Sequence, residues 1–299
     1  MIRLLFISFF TSLIVQVQAQ KSVLENSSAP SPKRFGIITS SIGLVWAGSM
    51  TALYEVWYKN EVMESFHSFN DFDNWLQMDK AGHIYANYKI SRLTGNMYKW
   101  TGMKESTAVL IGTGIGLGYQ TTLEFFDGYS PGWGFSWYDM GANAIGGGLY
   151  LGQELVWGEE RLIPKFSFHT TEFASLRPNV LGSNFSEQLL KDYNGQTYWL
   201  SFNPTLFLKS SSVPKWLCFS LGYSVDAKLV GDMETYTTPT GTTYSSRREF
   251  LFSLDIDFSR LPVKKVWLKK LLDQINYLKV PFPALILSHG KLSGSVFYF

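Results

Sequence analysis

The sequence predicts an α+β protein: a bundle of apolar helices, then an antiparallel β-sheet that carries an amphipathic helix. Three observations support this. Apolar, glycine-rich segments fill residues 35–156, and the hydrophobic period changes from helical to two after Pro164. The 299 residues are also 45% apolar and 16% aromatic, enough for one large core or two modest ones. That composition excludes a disordered or fibrous chain. Charge is uneven, with 10 Lys/Arg against 14 Asp/Glu in residues 1–160 and 16 against 10 in residues 161–299. The basic half suits an anionic surface, but its excess is too mild to indicate nucleic acid.

The elements follow in order. Residues 1–19 read as a secretory signal, with Arg3 in the charged region, an apolar core, and a small-residue cleavage site at Ala19. An uncleaved anchor is the alternative. The single Cys218 excludes an internal disulfide, and no cysteine near the cleavage site offers a lipid attachment point. Residues 20–34 are a polar, proline-containing linker. Residues 35–58 carry one charge, Glu55, and are long enough for a membrane span or a buried helix. Gly36, Ser40, Gly43, Ala47 and Ser49 would permit close helix contact there.

Residues 61–78 read as a loop leading into a helix that begins near Asp79. Residues 106–123 hold no charge, and Gly112, Gly114, Gly116 and Gly118 fit an alternating strand or, preferably, a helix with overlapping GxxxG pairs. With Leu117 and Tyr119 in place, the spacing is not a dinucleotide-binding fingerprint. Another helix is expected over 138–156, with Gly148 and Gly152 four apart. Ordinary close packing in a soluble helical domain explains these glycines equally simply.

Beyond Pro164, Leu217, Phe219, Leu221, Tyr223, Val225, Ala227 and Leu229 alternate with Cys218, Ser220, Gly222, Ser224, Asp226 and Lys228, and residues 248–259 repeat the pattern. Residues 197–208 give a further strand, and 237–243 a connecting loop. Four to six strands are fewer than the eight of the smallest outer-membrane barrel, so the apolar face is expected to cover the helices or meet lipid. Residues 262–280 form a basic amphipathic helix, with Lys264, Lys265, Lys269 and Lys270 beside a stripe that begins at Trp267. It suits an anionic membrane surface, or packs on the sheet with solvated lysines. The expected organisation is a signal (1–19), a linker (20–34), a helical domain (35–164) and a β-rich region (165–299).

Between Glu105 and Glu160 lie seven acids and no Lys or Arg. Glu105, Glu154, Glu159 and Glu160 flank the helices and read as water-facing. Glu124, Asp127 and Asp139 lie deeper, where unpartnered carboxylates protonate or recruit cations. Asp79 and His83, four apart with Lys80 beside them, can supply the partners, and Asp139 and Asn143 share a face in the same way. Three readings of this set stay open. His83, Glu124, Asp127 and Asp139 could hold a divalent metal; His83 could act as general acid or base with Lys80 steadying an anion; or the set is a structural ion-pair network.

The segments "DKAGH", "EFFDGYSPGWGFSWYDMGAN" and "GGGLYLG" resemble the VanZ-like family and its YfiM-type predicted periplasmic relatives, over roughly residues 35–156. Asp79, Lys80, His83, Glu124, Pro131, Gly132, Asp139, Asn143 and Gly146 fall on the family pattern; Asp127 stands at its Gln position and Trp133 at its Arg position. The resemblance implies a small membrane-associated helical domain and transfers no reaction. The expectation is an exported, membrane-associated envelope protein of structural or maintenance role, in the periplasm or at the outer membrane, with the inner membrane as alternative. Membrane lipid is the expected partner. A metal-dependent hydrolase or phosphatase on a lipid-linked substrate, and a lipid- or glycopeptide-binding module, are the alternatives.

Overall fold

The computed structural model describes residues 24–59, 62–207 and 213–299. The expected signal, residues 1–19, lies outside the described residues, as does the start of the expected linker. Helices precede a six-stranded antiparallel sheet, the α+β order read from the sequence.

Helix α1 (Pro32–Trp57) starts inside the stretch expected as linker. Ser31 caps it by accepting from Arg34 N, and Pro32 takes the first helical position, where its missing N–H is no loss. A few contacts hold it: Arg34 lies 4.3 Å over the Trp100 ring, Thr39 bonds Tyr98, and Tyr119 bonds Ser49. Only 6% of its most apolar window is buried, and among the described residues it is the one helix long and apolar enough to cross a membrane. Gly36 and Gly43 face open space, so they seat no helix among the described residues.

Helices α2 (Met78–Trp100), α3 (Glu105–Asp127) and α4 (Trp137–Val156) form a bundle with α2 in the middle. A Cβ at Gly112 or Gly116 of α3 would collide with Ser91 or Asn87 of α2, and one at Gly146 of α4 with the Ile84 carbonyl. These glycines therefore bring backbones close enough for polar side chains between them to meet. The Gly148 and Gly152 pair singled out in the sequence faces open space instead; Gly146 and Gly147 make the contact. Helix α2 buries Lys80, Asn87, Ser91, Arg92 and Thr94, so the polar residues of this helix mark its inside.

Tyr88, Val109, Tyr150, Ile163 and Tyr277 form a core that joins bundle to sheet. At the same junction Gln153 Oε1 accepts from Arg161 N and Leu162 N at 2.8 and 2.7 Å, tying the end of α4 to the first strand. Arg92 bonds Glu160 and donates to Asp273 at 2.6 Å, and Lys99 donates to Glu154 at 2.7 Å. Two of the flanking acids expected to face water, Glu154 and Glu160, are thus partners of α2.

The main sheet runs β1 (Leu162–Phe168), β2 (Gln196–Phe202), β3 (Leu217–Asp226), β6 (Arg247–Ile256), β7 (Phe282–Ser288), β8 (Lys291–Tyr298). Pro164 lies inside β1, an edge strand, where proline is tolerated. His289 and Gly290, both at positive φ, turn β7 into β8. Short helices α5 (Phe173–Leu176), α6 (Pro178–Leu181) and α7 (Phe185–Lys191) link β1 to β2. The expected loop at 237–243 carries a small hairpin, β4 (Thr235–Thr237) with β5 (Thr243–Ser245). Helix α8 (Val266–Ile275) is shorter than the 262–280 expected.

The inner face of this sheet is mixed, with an apolar cluster of Trp199, Leu251 and Ala284 beside buried polar groups. Among the latter, Lys165 and Asp255 pair at 2.8 Å with neither side chain exposed, and Ser201 donates to Asp255 beside Ser220. On the apolar face, Tyr198, Tyr223 and Val225 pack under Leu76 and Met78, while Leu221, Phe250, Phe252, Leu285 and Leu287 are exposed.

Candidate functional site

Four segments converge near the start of α2. Asp71 comes from the preceding loop; Asp79, Lys80 and His83 from the first turns of α2; Gln120 and Glu124 from the last turns of α3; Asp139 and Asn143 from the first turns of α4. Three successive left-handed residues, Trp75, Leu76 and Gln77, swing the loop into α2. Such backbone costs about 1–2 kcal/mol per residue. The sheet holds it there: Gly231 O accepts from Trp75 N at 2.7 Å, Tyr223 OH donates to Leu76 O, and Arg248 donates to Gln77 at 2.8 Å. Ser136, the cap of α4, joins the rest. Its Oγ accepts from Asp139 N and donates to Asp71 Oδ1 at 2.5 Å, and its N–H donates to Glu124 Oε2 at 3.1 Å.

The cluster has two centres. Lys80 Nζ lies 2.5 Å from Asp71 Oδ2, 3.0 Å from Asp79 Oδ2 and 2.9 Å from Asp139 Oδ1, with only 10% of its side chain exposed. His83 is the second. Asn143 Oδ1 accepts from Gln120 Nε2, so His83 Nδ1, 3.1 Å away, is a donor to the same oxygen. His83 Nε2 is then turned toward three carboxylates, at 3.7 Å from Asp79 Oδ1, 3.7 Å from Glu124 Oε1 and 3.8 Å from Asp139 Oδ1. Glu124 is 1% exposed, and its Oε1 has no hydrogen-bond partner. Ligand atoms of Asp79, His83 and Asp139 all lie within 4.8 Å of one another.

Burial sets the electrostatics. It pushes Glu124 up to about 8, with the Asp127 charge adding to the effect. Burial, and then the Asp79 charge, push Asp139 up to about 10. For Asp79 burial acts upward too, but His83 and Lys80 outweigh it and hold the carboxyl below its ordinary value. Burial works against the Lys80 charge, yet Asp79 and Asp139 keep it raised.

Asp79, Lys80, His83, Glu124, Asp139 and Asn143 therefore meet in one place. Asp127 sits at the end of α3, where its Oδ1 accepts from Tyr58 OH at 2.6 Å; it acts on Glu124 through its charge. Asp71, Gln120, Ser136 and Tyr193, whose OH donates to Asp79, are members that sequence reasoning missed. Lys264 and Lys265 just before α8, and Trp267, Lys269 and Lys270 on it, are exposed, and Lys270 also donates to Leu24 O.

Residues 55–151, the segment that carries this cluster, match the model of a family described as "Predicted periplasmic lipoprotein (DUF2279)". The match supports an exported cell-envelope protein. No curated protein and no solved structure matches the chain. Cys218, the one cysteine of the sequence, is buried in β3.

Proposed function

We propose that the chain is a non-catalytic, membrane-associated envelope protein whose helical domain is closed by a cation-binding brace. Lys80 fills one position of the brace, and a divalent metal ion fills the other. The observation that carries this reading is His83 Nε2, facing Asp79, Glu124 and Asp139 at 3.7–3.8 Å while Nδ1 lies 3.1 Å from Asn143 Oδ1. An imidazole nitrogen and three carboxyl oxygens this close need protons or a cation among them, and a divalent ion would supply the charge. Asp79, His83 and Asp139, whose ligand atoms lie within 4.8 Å of one another, would hold the ion. One imidazole with carboxylates suits zinc or manganese.

A brace fits better than a catalyst because the ligands come from three helices and are mostly buried. The cavity of about 570 Å³ at Phe66, His67, Phe125, Phe135 and Trp137 is lined mainly by aromatic rings and is not lined by the cluster. The family pattern supports a VanZ-like or YfiM-type affinity, and the family description supports a periplasmic location. Elemental analysis beside thermal melting tests the reading. His83→Ala should lose the metal and melt lower, whereas a wild type that cannot be loaded with zinc or manganese would overturn the metal half of the proposal.

A further inference from the structure

Across β2, β3, β6 and β7, Leu200, Leu221, Phe252 and Leu285 stand in one registered row, exposed by 36, 54, 41 and 50%. Phe250, Leu287 and Leu292 form the next row over β6, β7 and β8. Cross-strand neighbours about 5 Å apart make these rows a continuous apolar surface. A sheet with one wet face normally turns its polar side to water. Here polar groups, the Lys165–Asp255 pair among them, are closed inside, so the apolar outward face is built into the fold and is not a matter of a few surface residues.

Helix α8, between β6 and β7, continues the theme. Trp267 and Leu271 are about half exposed, and Lys264, Lys265, Lys269 and Lys270 are exposed beside them. We infer that the outward face of β3, β6 and β7, together with α8, seats on an anionic lipid bilayer. Charge favours lipid over a second copy of the chain, because residues 161–299 carry 16 Lys/Arg against 10 Asp/Glu and would repel their like. Basic side chains flanking an apolar surface are drawn to anionic headgroups. The free edge of β8 limits the depth. It pairs only with β7 among the described residues, and unpaired backbone groups do not enter hydrocarbon. The sheet therefore lies on the membrane rather than across it. This inference does not depend on the metal.

Because α1 alone could bring the chain to a membrane, the test must report on the sheet itself. Leu221→Cys, Phe252→Cys and Leu285→Cys, each carrying an environment-sensitive fluorophore, are placed in the full chain reconstituted with phosphatidylglycerol-containing vesicles. Cys218 is buried and stays unlabelled. Emission at all three positions should shift to the blue and be lost to lipids spin-labelled at shallow acyl carbons, while a probe at Thr240→Cys in the β4–β5 loop stays water-like. Replacing Lys264, Lys265, Lys269 and Lys270 with Gln should weaken the quenching. Water-like emission at the sheet positions overturns the inference. Blue-shifted emission that no lipid label quenches assigns the face to a second copy and overturns it equally.

Discussion

Removing the Lys80 ammonium leaves Asp71, Asp79 and Asp139 facing one another without the cation they share. Breaking a buried pair by deleting one partner costs about 3–5 kcal/mol, so Lys80→Met should lower the unfolding free energy of detergent-solubilised protein, read from urea titration, by that much. The carboxyls of chelator-stripped protein predict a pH dependence. Glu124 and Asp139 are raised in the fold, to about 8 and about 10, so the folded state binds their protons more tightly than the unfolded chain. Their contribution is fully present below the ordinary carboxyl range and is lost as pH rises toward those values. Stripped protein should therefore melt lower at about pH 8 than at about pH 5, with Glu124→Gln flattening the slope; an unchanged slope in that variant counts against the assignment. The i, i+4 spacing of Asp79 with His83, and of Asp139 with Asn143, is legible from sequence because helix geometry alone sets it. Asp71 is not, since a left-handed turn anchored by the sheet places it.

Among the elements, the glycines separate contact from coincidence. Gly116 of α3 has no room for a Cβ against Asn87 and Ser91, and overpacking of this kind costs about 1–3 kcal/mol. Gly148 of α4 faces open space, so Ala there should stabilise by roughly 0.5–1 kcal/mol through helix propensity. Gly116→Val and Gly148→Ala should thus shift the melting temperature in opposite directions; a shift of the same sign in both would refute the packing described. The sequence places the start of α2 and both ends of α4 within a residue, but it misses the first turn of α1 and overextends α8. It does not show which of two interleaved GxxxG pairs meets a neighbour. Gly112 and Gly116 face α2 while Gly118 faces Trp46 of α1, a choice made by how the helices rotate against each other.

For the whole molecule, strict period-two alternation reveals the sheet but not which face is inside, since both arrangements give the same pattern. Lys165 and Asp255 are the residues that decide it, and in sequence each looks like an ordinary surface charge. Lys165→Met should cost about 3–5 kcal/mol in the full chain, far more than a solvated lysine would; a loss under about 1 kcal/mol, the range of an exposed pair, would mean the inner face is wet. The cluster at the start of α2 holds the loop, three helices and, through Tyr193 and the turn under Tyr223, the β-region in one arrangement. The most direct test of that account is the metal content of intact, detergent-purified protein loaded with zinc or manganese and dialysed, wild type beside His83→Ala. A stoichiometric divalent ion is expected in the wild type, absent from the variant, with the variant melting lower. Equal metal in both proteins, or none in either, would contradict it.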